Sequence, residues 1–206
     1  MTALGFAHLA FAWTLFVLLA PLTSSLWWRC GLLAATSALS VVTVDGLTLA
    51  AYARSLTDDL AISSLVLLGW LTLRRLGVLK PVAANQRLGM SLVFAALALT
   101  LYPATLGLTY FDPYRWGYNP RPMIIIVAMI ALALLALRST LGVVMLAVAT
   151  LAFTFRLKPS ENYWDYLIDP LLALYCCGAL LVWGVRFMYR QAAGRRRPAA
   201  LAAGNV

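Results

Sequence analysis

The sequence predicts an all-α, polytopic integral membrane helix bundle with about seven transmembrane helices, six if residues 123–155 formed one span, and with the N-terminus out and the C-terminus in. Three observations predict it. Hydrophobic residues make up 63% of the chain and charged residues 11%, with a mean hydropathy of +0.87, far from the balance of a water-soluble domain. Apolar runs recur at 3–22, 32–51, 60–73, 88–108, 123–137, 141–155 and 167–188. A crossing needs about 20 residues, so 206 residues hold six or seven helices and no separate soluble domain. Finally, alternate connections carry only basic residues (Arg29; Arg74, Arg75, Lys80 and Arg87; Arg138; Arg186 onward), whereas the seven acids lie in or beside the others. The positive-inside rule makes the arginine-only connections cytoplasmic.

Each run has its own justification. The first is read as a retained helix and not a secretory signal, because no Lys or Arg precedes it and no small-residue cleavage site follows. Trp27 and Trp28 beside Arg29 suit an interfacial anchor where the chain re-enters the membrane. The second run carries Asp45 about a turn and a half from its outer end, on a helical face with Ala34, Ala38, Val41 and Thr48. An intramembrane carboxylate is by default a functional candidate, the plainer role being a buried acid bonded to Thr48 or a neighbouring helix. The third run is short and spans if its helix continues past Arg74 and Arg75, their side chains snorkelling to the interface. Pro103 in the fourth predicts a kink near its outer end, with a local cavity or easier packing. One helix over 123–155 would be roughly 50 Å long and would place the arginine-rich tail outside, so two short helices meeting at Arg138, Ser139 and Thr140 are expected. The last run starts with Asp169 as N-cap and Pro170 at the first helical position. Residues 1–191 thus form the bundle, and 192–206 a flexible basic cytoplasmic tail.

Several chemistries receive no support. Cys30, Cys176 and Cys177 lack metal-ligand or redox spacing, and His8 stands alone, more fitting as a hydrogen-bonded structural residue than a ligand. No metal, cofactor or catalytic signature is expected. The net charge of +9 is dispersed over short loops and a tail, which argues for topology and anionic lipid and against nucleic acid.

The outer connections are where the sequence becomes distinctive. Residues 110–122 combine five aromatics, two arginines, one acid and three prolines, with Asp112 before Pro113 suiting an Asx-type turn. Residues 159–170 add Glu161, Trp164, Asp165 and Asp169. Asp58 and Asp59 stand where a helix N-cap is expected. If Ser160 capped a short interfacial helix, Glu161, Asp165 and Asp169 would share one face, compensated by Lys158 and Arg156 more simply than by a divalent cation. The two connections should emerge side by side, with Arg115 and Arg121 neutralising Glu161 and Asp165, and Trp116 and Trp164 framing a shared groove.

Tyr and Trp collect at membrane interfaces without any ligand, but five aromatics in one loop exceed what a belt needs. The candidate ligand- or partner-binding residues are therefore Asp45, Asp112, Tyr114, Arg115, Trp116, Tyr118, Arg121, Glu161, Trp164 and Asp165. The expected function is that of a noncatalytic, multi-pass subunit of the inner (plasma) membrane, embedded in the lipid bilayer. It would dock another membrane or periplasmic protein, a lipid headgroup or a glycan through these periplasmic loops. The alternatives are a small transporter or lipid-handling protein built on Asp45, and a membrane-bound transferase for a lipid-linked or headgroup substrate, with Asp112, Glu161 or Asp165 as base.

Overall fold

The computed structural model describes the backbone of residues 2–203 and the side chains of residues 4–191. In chain order its helices are α1 (Thr2–Leu19), α2 (Leu26–Ser40), α3 (Leu49–Thr57), α4 (Ile62–Arg75), α5 (Ala84–Thr105), α6 (Pro120–Ala136), α7 (Thr140–Thr154), α8 (Trp164–Leu167) and α9 (Pro170–Ala203). The protein is mostly helical, and three segments are long and apolar enough to cross a membrane: Leu4–Leu22, Ala84–Thr105 and Pro170–Gln191. The apolar α6 and α7 rise only about 26 and 23 Å, and α4 about 21 Å. Helix α4 takes in Arg74 and Arg75 and ends there, short of the extension expected.

Large apolar side chains such as Leu18, Leu99, Ile125, Met129 and Leu181 point outward, while Ser63, Ser64, Thr72, Ser91 and Ala149 are buried between helices. Small and hydroxylated residues at helix contacts let backbones approach where lipid supplies no hydrophobic drive. Helix α1 packs on α2, α3 and α4; α4 packs on α7; α7 packs on α5 and α6; and α5 packs on α9. The core gathers around α7, whose Met145, Leu146 and Ala149 meet Met90, Phe94, Leu134 and Leu167 in one cluster.

Helices α6 and α7 are separate, as expected. Arg138 takes a positive φ of 55°, Arg138 N donates to Leu135 O (2.9 Å) and Ser139 N to Leu134 O (2.8 Å), closing α6 with a Schellman end. Gly142 then lets Leu134 seat against α7, since a Cβ there would lie 2.9 Å from Leu134 Cδ1. Pro103, by contrast, marks an end and not a kink. It lies two residues before the end of α5, where Gly107 (φ 73°) and the bond from Leu108 N to Pro103 O (2.8 Å) terminate the helix.

The second apolar run departs most from expectation. It is not one helix: α2 stops at Ser40, and a two-stranded hairpin, β1 (Thr43–Val44) and β2 (Leu47–Thr48), precedes α3. Asp45 and Gly46 form its two-residue turn with φ of 48° and 82°. Two positive φ values in succession suit Asp-Gly, and the chain bends where a helix would have had to bury the carboxylate. Asp45 is exposed in this turn and not set on the helical face with Ala34, Ala38 and Val41 that the sequence suggests. Helix α9 continues through Ala203, but the side chains beyond residue 191 and all of 204–206 lie outside the described residues, and with them the expectation for the tail.

Candidate functional site

Three acid-bearing segments, residues 57–63, 109–119 and 157–169, meet at one end of the bundle. The expected adjacency of the two long connections is realised, through contacts the sequence reading did not name. Asn162 is fully buried: its side-chain nitrogen donates to Tyr114 O (3.0 Å) and its side-chain oxygen accepts from Trp164 N (2.9 Å). Trp164 Nε1 donates to Pro113 O (2.8 Å), and Tyr163 N to Gly117 O (3.1 Å). Gly117 is required at this crossing, because a Cβ there would lie 1.7 Å from Asn162 Oδ1. One loop thus uses the carbonyls of Pro113, Tyr114 and Gly117 on the other as its hydrogen-bond partners.

Asp165 sits within this lock. Its carboxylate accepts from the Tyr114 hydroxyl (3.2 Å) and from Ser160 Oγ, so Tyr114 takes the place foreseen for Arg115 or Arg121. Burial, then the Asp165 carboxylate, push the Tyr114 phenol well above its ordinary range. Among the described residues, Arg115 and Arg121 form no ion pair; the one such pair is Arg54 with Asp59 (2.6 Å). Glu161, Asp165 and Asp169 do not share a helical face, because α8 covers only four residues. Ser160 donates to Asp165 Oδ2 and accepts from Asn162 N (3.1 Å) instead of capping a helix.

Lys158 joins the third segment. Only 7% exposed, its ammonium donates to three backbone oxygens, Asp59 O (3.0 Å), Leu60 O (3.1 Å) and Asp165 O (2.8 Å). Desolvation lowers its pKa, while the acids Asp59, Asp165, Asp169 and Asp58 pull the other way. With all three protons committed, this lysine acts as a clamp. Asp169 caps α9 as expected, accepting from Leu172 N (2.8 Å), and its other oxygen accepts from Ala61 N (2.8 Å). That second bond supplies the missing cap of α4, whose N-cap residue is Ala61; Asp58 ends α3 at a φ of 60°, and neither Asp58 nor Asp59 is an N-cap. Asp112 Oδ1 accepts from Arg115 N three residues on (3.4 Å), one residue beyond the Asx-type turn expected.

The aromatics divide sharply. Trp164 is buried as a strut, so no groove forms between it and Trp116. Tyr110, Phe111, Trp116 and Tyr118 are exposed, with Phe111 edge-on to Trp116 (5.1 Å) and Tyr118 edge-on to Tyr114 (5.8 Å). Two edge-on pairs on a loop held by its neighbour make a firm aromatic platform, with Asp112 and Arg115 exposed in the same loop. Nearby, an apolar slot of about 190 Å³ runs between α1 and α3 beneath Arg54, Asp58 and Asp59. Near the start of α1, the His8 imidazole hydrogen-bonds Ser40 O (3.0 Å), a structural role for the lone histidine. Sequence reading missed Asn162 and Gly117 as keystones, and it gave Lys158 to the acids as a compensating charge, whereas its ammonium holds three backbone oxygens. The juxtaposition of Gly117 with four bulky neighbours in a proline-stiffened loop was the one available signal.

Among the described residues no group of three His, Cys, Asp or Glu is placed to hold a metal ion. Compared with known proteins, the chain matches no family model, no curated protein and no solved structure.

Proposed function

We propose that this protein is a noncatalytic, multi-pass subunit of the inner (plasma) membrane whose acid-bearing end faces outward and docks a membrane or periplasmic protein. The observation that carries the reading is the platform: Tyr110, Phe111, Trp116 and Tyr118 stay exposed on a loop whose carbonyls at Pro113, Tyr114 and Gly117 are held by the neighbouring connection. Rigid exposed aromatics beside Arg115 lose little conformational entropy when a partner covers them, the usual composition of binding hot spots. In this reading α1, α2, α4, α5, α6, α7 and α9 each cross, the short ones by local thinning of the bilayer, and the hairpin with α3 lies along the outer interface.

Crosslinking from a photoreactive residue at Tyr118 in intact cells, followed by identification of the adduct, tests the docking. One recurrent protein is expected, lost with Arg115→Glu, and labelling of lipid alone would overturn it. Asn119 and Asn85 are both exposed, so cysteines there test orientation: Asn119→Cys should react with an impermeant thiol reagent in intact cells and Asn85→Cys only after lysis. The slot beneath Arg54 favours a second reading, a lipid-handling protein. Ala10→Trp would fill that slot, abolishing lipid handling while leaving docking unchanged.

A further inference from the structure

The opposite end of the bundle holds a different kind of feature. Between the first turns of α5 and the stretch of α9 from Leu174 to Arg190 runs a groove of about 710 Å³ whose lining includes Arg87, Arg186 and Arg190 and no carboxylate. Among the described residues none of these three arginines is hydrogen-bonded to protein or ion-paired. Arg186 and Arg190 are one turn apart, and Trp183 and Phe187 stack along the same face at 5.5 Å. Along α9, Arg186 and Arg190 lie about 24 and 30 Å from Pro170, which puts them at the edge of a hydrocarbon core whose other edge is at Pro170. Deeper in the groove the floor is apolar and open: nothing lies within 4 Å of a Cβ built on Gly178.

We propose that this groove binds an anionic phospholipid, its phosphate held between Arg87 on α5 and Arg186 and Arg190 on α9, and an acyl chain lying over Gly178 and Val182 against Trp183. Charge decides the occupant. Three uncompensated guanidiniums at one interface call for a multidentate anion, and the apolar floor below them calls for a chain attached to it. A second copy in the same orientation would bring basic residues to this depth, since six of the seven acids lie in the segments of the other end and Asp45 lies in the hairpin beyond the end of α2. The site stands apart from whichever partner the aromatic platform takes.

The test uses the full chain in nanodiscs of phosphatidylcholine with a minor share of phosphatidylglycerol, counting lipids retained by native mass spectrometry after release. The wild type should keep phosphatidylglycerol selectively, and soluble glycerophosphate should not displace it; displacement would mean a free-phosphate site and overturn the proposal. Each of Arg87→Gln, Arg186→Gln and Arg190→Gln should lower retention about fivefold. The double variant Arg74→Gln, Lys80→Gln removes twice the charge of any one groove variant from outside the groove, and an equal or larger loss there would reduce the effect to general surface charge. Gly178→Leu fills the floor without touching charge and should also lower retention; unchanged retention would overturn the acyl-chain seat. Loss of a dimer in place of a lipid would assign the groove to a second copy.

Discussion

The two ends of this bundle are built on opposite principles. At the acid-bearing end, three chain segments share a hydrogen-bonded lock in which Lys158, Asn162, Asp165 and Asp169 are buried or half-buried and satisfied by groups far away in sequence. At the arginine end, the links are short and are fastened by fewer bonds: Arg29 donates to Arg75 O (2.8 Å) and Thr23 O (3.2 Å), and Ser139 Oγ to Gln86 O (3.1 Å). The first end is therefore stiff and presents a fixed shape; the second presents charge, which acts over distance and needs no fixed backbone. The contrast sets a fixed, hydrogen-bonded surface against unpaired charge within one small protein.

The contrast can be broken most forcefully at Asp169, which serves two backbone amides in a buried position. Asp169→Ala should cost about 3 kcal/mol, read as loss of thermal stability in mild detergent, because it orphans both N–H groups at once. A cost no larger than that of a single exposed cap would show that the lock is not cooperative. Next comes Gly117→Ala, where the new methyl must displace Asn162 from both its hydrogen bonds; about 2 kcal/mol is expected, together with loss of the crosslink from Tyr118. Retention of the crosslink would separate docking from loop interlock.

Tyr114→Phe removes one bond to Asp165 and should cost about 1 kcal/mol at neutral pH. Its pH dependence sharpens the point. Because the folded-state pKa of Tyr114 is raised, its stabilisation is complete below the ordinary value of 10.0 and is lost as pH rises through the folded value. The stability gap between wild type and Tyr114→Phe should thus hold steady up to pH 10.0 and shrink above it, and a gap that widened would contradict the assigned environment. At the arginine end, Ser139→Ala should cost about 0.5 kcal/mol, and a larger cost would erase the contrast. Smallest of all, Asp45→Asn should leave the unfolding midpoint unchanged, since asparagine tolerates the same left-handed turn.

The helix positions were legible because apolar runs and their interruptions are local signals: α5, α6, α7 and α9 fall where hydropathy, Arg138 and the Asp169-Pro170 pair place them. The Asp45-Gly46 hairpin was legible too, but the length of the surrounding apolar run masked it, and a reading by run length turned a turn residue into an intramembrane acid. The pairing of the long connections followed from short links between helices. Its chemistry did not, because charges were matched to charges, whereas the fold matched Tyr114 to Asp165 and a buried amide, Asn162, to backbone.

The sequence by itself determined that this chain is helical, apolar and asymmetric in charge, since composition, run length and the distribution of Lys and Arg are properties of neighbouring residues. Only the tertiary structure decided which polar groups work inward and which outward. Lys158 and Trp164 look like surface residues in the sequence yet are buried struts, while Trp116, Tyr118 and Arg115 remain exposed. The physical reason is that a buried polar group is tolerated only where partners converge on it, and those partners, Asp59 O, Leu60 O and Asp165 O for Lys158, come from segments about a hundred residues apart in the chain.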